Sequence, residues 1–413
     1  MKVAAIISEY NPFHSGHALH ISRTRQESGA THVVAIMSGD FVQRGDAACV
    51  DKFTRGKMAL RCGVDLVVEL PLPWAMAGAE TFARGGVGIA AGLGCVDVLS
   101  FGSECADAEL IRRTARLSEG DEASALLREY MSMGMSFASA RAKALESLDP
   151  ECAAVLANPN DTLGVEYCRS IDRLAPDIQP FCIRRTGAAH DSQTSAGDNQ
   201  PVSASYLRRL MADGGEGAMS DLAPHMPVEA YKLLSDAVLS GSAPADLSRL
   251  DRMLIMKLRT MTSQQLAALP DVSEGLEFRI SQCAAEISGR EAGFASLCDR
   301  IKCKRYTHAR IRRVLLSALL GLNAEDSAGI PPYIRVLAMG SRGRGILAHA
   351  GAHGILPVIT RFSQVAGLDS RAVRVFNLGT QAADIYGLTL PHIPEKGADL
   401  TQRLIVERDY TII

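Results

Sequence analysis

The sequence predicts an open α/β fold with a parallel sheet, on three observations. Short apolar β-type runs recur at Val3 to Ile7, His32 to Met37, Asp65 to Leu70 and Val96 to Phe101. Segments of helical character separate them, at the spacing that lets right-handed crossovers return each strand parallel to the last. The polar stretches His14 to His17, Ser38 to Gly45 and Phe101 to Glu104 each follow a strand directly, at the carboxyl end where an open parallel sheet binds ligands.

Taken in order, Val3 to Ile7 delivers the chain into a polar, proline-containing turn, after which Gly16 opens a helical segment from His17 to about Glu27. The first amides of such a helix point at the turn unpaired, and the macrodipole adds partial positive charge, so an anion is welcome there. His14 and His17, three apart, can both reach that point, and Gly16 removes a Cβ so that a ligand can approach the backbone.

The loop Ser38 to Cys49 leads from the second strand into a helix from about Asp51, its cap, to Cys62. Gly78 to Gly92 reads as helical though glycine-rich. Ala106 to about Asp149 reads as a helical insertion or side layer with one polar face. Asn158 to Leu163 forms a turn and helix cap, with the helix running to about Leu174, and Ile178 to Ile183 is the next strand. Thr186 to Pro201, rich in Gly, Ala, Ser, Asp and Asn, reads as a mobile loop, and a helix starts near Ser203. Beyond about Asp213 the alternation stops. Pro227 to Gly321 is mostly helical, including Leu247 to Thr260 and His308 to Leu320. Tyr333 to Met339 and Ile355 to Thr360 read as short strands, and Gln402 to Ile413 fits neither pattern. The expected organisation is residues 1–213 as the ligand-binding α/β domain and 214–413 as a mainly helical region with a small α/β element at its C-terminal end.

With 413 residues, 47% of them hydrophobic, the chain can fill two or three cores. No apolar run approaches membrane-spanning length, and the N-terminal run breaks at Ser8-Glu9 as a core strand does, so a cytoplasmic protein is expected. The ten cysteines contain no C-x-x-C pair, which argues against a zinc ribbon or a disulfide scaffold. A net charge of −2 excludes nucleic-acid binding by a global basic field and leaves only a local basic face for it.

His14-Ser-Gly-His17 resembles the H-x-G-H signature of the nucleotidyltransferase superfamily. The longer string EYNPFHSGHALH from Glu9, with SGDFVQRGDAACVDKFTRGKMAL from Ser38 and GVDLVVELP from Gly63, resembles the bacterial tRNA(Met) cytidine acetate ligase family. The resemblance implies a HUP/Rossmann-like nucleotidyltransferase domain, ATP as cofactor with Mg²⁺, and acetate and elongator tRNA(Met) as partners. It implies ATP contacts along Ile7, Ser8, Glu9, Tyr10, Asn11, Pro12, Phe13, His14, Ser15, Gly16, His17, Ala18, Leu19 and His20, and at Gly102, Asn160 and Arg185. Arg184 competes with Arg185 for that last match, which the R-T-G context gives to Arg185. Where relatives commonly have a Tyr before His-Asp, this chain has Ala189-His190-Asp191, so a stacking role for that Tyr is lost.

Each motif has a plainer alternative. His14 and His17 could be surface or capping histidines. With His20 they could form a metal set, though such positions rotate around a helix and no Cys, Asp or Glu at ligand spacing completes it. Asp40, Gln43 and Arg44 fit either turn chemistry or a pocket wall. Gly102, after a strand, lets a nucleobase or ribose lie against the backbone, whereas Asn160 could simply cap a helix. Val202-Ser-Ala-Ser205-Tyr-Leu-Arg208 resembles the superfamily's second phosphate motif: Ser203 and Ser205 offer hydroxyls and Arg208 a bidentate fork for the leaving pyrophosphate. The loop before it would then act as a lid. Lys302, Lys304, Arg305, Arg310, Arg312 and Arg313 form a run with no acidic residue within it, either a solvated helix face or, the reading favoured here, a contact for RNA phosphates.

The expected activity is therefore a two-step ligase: acetate is activated as acetyl-adenylate, and the acetyl group passes to N4 of the wobble cytidine, giving N4-acetylcytidine. His14, His17, Ser203, Ser205 and Arg208 are the catalytic set. The alternatives are a cofactor-synthesis adenylyltransferase acting on phosphopantetheine or a mononucleotide, whose compact cores leave residues 214–413 unexplained, and a tRNA-binding protein with a vestigial ATP site. Retention of His14, His17, Gly102 and Arg208 together argues against the second.

Overall fold

A computed structural model describes residues 1–185, 202–213 and 218–407. Its strands are β1 (Val3–Ser8), β2 (His32–Ser38), β3 (Phe41–Val42), β4 (Asp46–Ala47), β5 (Leu66–Leu70), β6 (Val98–Ser103), β7 (Gln179–Arg184), β8 (Ile334–Met339), β9 (Val358–Ile359) and β10 (Ile405–Val406). The main sheet runs β10-β8-β5-β2-β1-β6-β7, with β9 paired to β8. β1, β2, β5, β6 and β7 are mutually parallel. Helices cover both faces, which is why β2 and β5 are nearly continuous apolar runs rather than alternating ones. The open parallel fold is as expected, and so are its five parallel strands, while the stretch Ser38 to Cys49, expected as a loop, carries the antiparallel pair β3 and β4.

The late strands go elsewhere than expected. The small α/β element expected at the C-terminal end of 214–413 joins the main sheet: β8 pairs antiparallel with β5, and β10 and β9 lie parallel to β8. The sheet of the first half therefore does not end at residue 213. Without β8, the fully buried Leu66, Val67 and Val68 would sit on an open edge with unpaired backbone groups, which a buried sheet cannot leave exposed.

Ions fasten this seam. Lys52 Nζ lies 2.9 Å from Glu69 Oε1 on β5 and 2.7 Å from Asp399 Oδ1 ahead of β10. Arg335 on β8 reaches Glu69 Oε2 at 3.2 Å and Asp399 Oδ2 at 2.8 Å. Burial depresses the Lys52 ammonium's proton affinity, but Asp399 and Glu69 outweigh it and hold its pKa above the ordinary value. The helical part of the second half has its own core, with Leu254, Ile280, Leu297, Val314 and Leu315, and this core also takes in Phe41, Leu72 and Met76 from the first half. Among the described residues no helix is long and apolar enough to cross a membrane.

Candidate active site

From β1 the order runs outward through β2 and β5 on one side and through β6 and β7 on the other, so the sheet's switch point lies between β1 and β6. A cleft of about 290 Å³ opens there, outside the carboxyl ends of the strands. Of the first motif, Ile7, Ser8, Glu9, Tyr10, Asn11, His14, Gly16, His17, Leu19 and His20 line it. Pro12, Phe13, Ser15 and Ala18 do not. Phe13 is buried beneath, its ring centroid 4.8 Å from that of Tyr10 and 5.5 Å from that of His17.

The helix Ser15–Ser28 begins two residues earlier than expected because His14 caps it. His14 Nδ1 accepts from Gly16 N–H at 3.1 Å, and His17 Nδ1 accepts from His14 N–H at 3.2 Å. The two rings stack with centroids 3.8 Å apart. An Nδ1 that accepts carries no proton, so each neutral ring has its hydrogen on Nε2. Burial, with the Arg185 and Arg208 charges nearby, pushes His14 down to about 3, and burial with its neighbour His14 holds His17 well below the ordinary value. The capping and anion-binding readings thus coexist: one nitrogen of each ring caps the helix, and the other is a preset N–H donor. His20 is committed differently, its Nε2 lying 3.0 Å from Ser100 Oγ. Among the described residues no group of His, Cys, Asp or Glu is placed to hold a metal ion.

The helix Ala204–Asp213 brings up the second motif. Ser203 Oγ accepts from Tyr206 N–H at 3.1 Å, while Arg208 donates to Asn11 O at 2.7 Å and to Ser205 Oγ at 3.1 Å. Ser203, Ser205 and Arg208 line the cleft against the turn after β1. The expected lid, Thr186 to Pro201, and the Ala189-His190-Asp191 departure lie outside the described residues.

Toward β6, Gly102 is covered by Arg185: a Cβ on Gly102 would meet Arg185 Cγ at 3.2 Å. Arg184 donates to Glu104 O at 3.3 Å and Cys105 O at 3.1 Å, which leaves Arg185 as the guanidinium lying over the glycine. Asn160 does not cap its helix. Pro159–Leu174 has Asn158 at the cap position, and Asn160 lines the cleft, donating its Nδ2 to Glu104 Oε1. In the Ser38 to Gly45 loop, Gln43 and Arg44 reach the cleft wall. Asp40 instead accepts from Lys52 N–H at 2.9 Å, as turn chemistry, and burial pushes its carboxyl up to about 6 against the pull of Lys52.

Several supporting residues escaped the sequence reading. Arg55, fully buried, donates to Val50 O at 2.9 Å, Glu9 O at 2.6 Å, Ser38 O at 3.1 Å and Gly39 O, gathering the loops that leave β1 and β2. Arg55 lies one helical turn from Met58 and Ala59 on the buried face of Lys52–Arg61, and that spacing was the available signal. Asp161, also fully buried, accepts from Glu104 N–H at 2.9 Å, Cys105 N–H at 3.1 Å and Asn158 Nδ2 at 3.0 Å, fixing the turn after β6. Glu9, by contrast, was expected among the ATP contacts, and it lines the cleft with Oε1 accepting from Gln43 N–H at 3.0 Å. Burial raises its pKa, opposed by that bond and by Arg208, Arg55 and Arg44.

The basic run divides. Arg310 pairs with Glu274 at 3.3 Å, Arg312 with Asp46 at 2.9 Å and Arg313 with Asp271 at 2.7 Å. Arg312 also donates to Gly45 O at 3.0 Å, and Gly45, with φ +72°, has no room for a Cβ against Arg312 and Arg313. These three were expected to be available to RNA phosphates, but acids distant in sequence take them up, and Arg312 alone, through Asp46 and Gly45, docks the helix His308–Leu320 on the end of the Ser38 to Gly45 loop. Lys302, Lys304 and Arg305 are exposed.

Strand, anion-ready helix start and paired histidines at a switch point define a nucleotide-binding transferase. The chain belongs to the HIGH Nucleotidyl Transferase family, whose family model matches residues 1–399. It is 35% identical to the tRNA(Met) cytidine acetate ligase of Alkaliphilus metalliredigens over 94% of this chain and 95% of that one. To the tRNA(Met) cytidine acetate ligase of Acetivibrio thermocellus it is 33% identical over 98% of this chain and 100% of that one. Its fold superposes on the crystal structure of Thermotoga maritima TmcAL bound with alpha-thio ATP with a TM-score of 0.90 at 30% identity, covering 99% of this chain and 100% of that one.

Proposed function

We propose that this chain is an ATP-dependent ligase that joins acetate to N4 of a tRNA(Met) cytidine. The observation that carries this reading is the pair of preset Nε2–H donors beside Ser203, Ser205 and Arg208, in a chain that superposes on an ATP-analogue-bound relative. An acetate oxygen attacks the α-phosphorus, the bond to the bridging oxygen breaks, and pyrophosphate leaves. His14, His17 and Arg208 stabilise the charge that develops, so the step is positioning and electrostatics without a covalent side-chain intermediate. Mg²⁺ would enter with the ATP phosphates and would supply neutralisation of their charge, which His14, His17 and Arg208 share from the protein side.

In the second step cytidine N4 attacks the acetyl carbon, the carbon–oxygen bond to AMP breaks, and N4 loses a proton. We assign that proton to Glu9, the one carboxylate among the described residues that line the cleft, whose proton affinity burial raises. For tRNA, the exposed Lys302, Lys304 and Arg305 supply a local basic contact that the net charge does not.

The test combines purified protein, ATP, labelled acetate and total bacterial tRNA with nucleoside analysis. Label in N4-acetylcytidine, with AMP and pyrophosphate in equal amount, is expected; ATP turnover without labelled nucleoside sinks the reading. In Glu9→Gln, which keeps the bond from Gln43, acetyl-adenylate should still form while transfer slows by about 10²- to 10⁴-fold. Unchanged transfer removes Glu9 from the mechanism.

A further inference from the structure

We infer that Glu104 sets the nucleobase preference of the cleft by fixing the Asn160 side-chain amide with its carbonyl toward the ligand, so that the site accepts a hydrogen bond from a 6-amino purine and disfavours a 6-oxo purine. The inference rests on the nucleotide-site reading above and adds what that site reads.

A carboxylate can only accept, so the Asn160 amide must turn its NH₂ to Glu104. The other Glu104 oxygen, Oε2, accepts from Asp161 N–H at 3.1 Å, and Glu104's own N–H is held by Asp161 Oδ1 at 2.9 Å. Glu104 therefore has no freedom to rotate away. No described residue donates to Asn160 Oδ1, and Asn160 lines the cleft, so the carbonyl is the face it offers to a ligand.

The position of this carbonyl favours the base over the phosphates. His14, His17 and Arg208 gather at the turn after β1, whereas Asn160 sits beyond β6 with the apolar Phe101, Leu163 and Ile183 and with Gly102, over which the flat guanidinium of Arg185 lies as a surface for a base to stack on. A ribose hydroxyl, being donor and acceptor, would not need an amide locked one way round. A base edge would, because adenine and hypoxanthine differ there in the sense of the hydrogen bond.

The same logic predicts a reversal. In Glu104→Gln the side chain keeps one acceptor and gains one NH₂. The backbone N–H of Asp161 cannot turn, so it claims the oxygen. The new NH₂ then faces Asn160, whose amide flips to accept from it and turns its own NH₂ to the cleft.

The experiment measures equilibrium binding of ATP and of inosine triphosphate, without acetate or RNA, to the wild-type chain, Glu104→Gln and Asn160→Ala, with the melting temperature of each. Wild type should prefer ATP by about 10- to 100-fold, the size of one mismatched hydrogen bond at a partly buried site. Asn160→Ala should bring the two nucleotides near parity, and Glu104→Gln should lower the ATP-to-inosine ratio at least tenfold, with tightened inosine triphosphate binding as the signature that mere structural damage cannot produce. An unaltered ratio in either folded variant overturns the inference alone. Failure of the wild-type chain to bind either nucleotide overturns the nucleotide site itself, and the inference with it.

Discussion

The phosphate end of the cleft and the seam between the two halves of the chain are both charged, and they use charge in opposite ways. In the cleft the histidines are kept neutral, and their donors are aimed by the backbone of the helix they cap. At the seam, Lys52, Arg335 and Arg312 are satisfied by carboxylates from remote segments, and little charge is left to meet a ligand. A binding site therefore preserves unmet donors, whereas a structural joint consumes them.

The largest expected effect tests the joint. Lys52→Met leaves Glu69 and Asp399 facing each other with only Arg335 between them, and should cost about 3–5 kcal/mol in urea unfolding, the range for breaking a buried pair. A loss below about 1 kcal/mol would make the cluster incidental. In the cleft the ranking reverses: His17→Ala should slow acetate-dependent pyrophosphate release by roughly a hundredfold with little change in melting temperature. Normal turnover in the folded variant erases the contrast.

Acidity sharpens it further. His20, pushed down to about 4 chiefly by burial, is neutral when folded but gains a proton near pH 6.5 once unfolded. Its contribution to stability is full above pH 6.5 and is lost as pH falls from there through about 4. His20→Gln should therefore lose less stability than wild type between pH 6.5 and 5, by up to about 1.4 kcal/mol per pH unit. Glu9 and Asp40 titrate with the opposite sign but are common to both proteins, so the difference isolates the histidine. Parallel curves would show that the ring is free to protonate in the fold.

The smallest effects divide the basic run. Neutralising Arg310, Arg312 and Arg313 should cost about 0.2–1 kcal/mol per pair in stability, as exposed or partly exposed pairs do. Neutralising Lys302, Lys304 and Arg305 should leave the fold intact and flatten the salt dependence of tRNA binding. Binding measured at two salt concentrations decides between them; an exchange of the two outcomes would return the helical arginines to the RNA.

What could be read from the sequence follows the same division. His14, His17 and Gly102 could be placed at the cleft because each lies at or just past the carboxyl end of a strand, whereas Ser203 and Arg208 were placed there by their resemblance to a known phosphate motif. Strands β1, β2, β5, β6 and β7 were legible as short apolar runs separated by helical segments. The destination of β8 was not, since an apolar strand does not declare which edge it will cover. The pairing of Arg312 with Asp46 and the clamp between Glu104 and Asn160 were hidden too, because each joins segments far apart in sequence. The Arg55 contacts have the same origin, in that the carbonyls it gathers come from two different loops.

The pairing of β5 with β8 has a consequence for biosynthesis. The β5 strand leaves the ribosome early, but its neighbour is made only after most of the remaining chain, and β10 comes close to the last residues described. At the usual 5–20 residues per second the nascent sheet spends on the order of ten seconds or more with an apolar, hydrogen-bonding edge and no strand to close it. Chaperone occupancy of ribosome-bound chains should be highest in that interval and fall once residues 334–339 emerge.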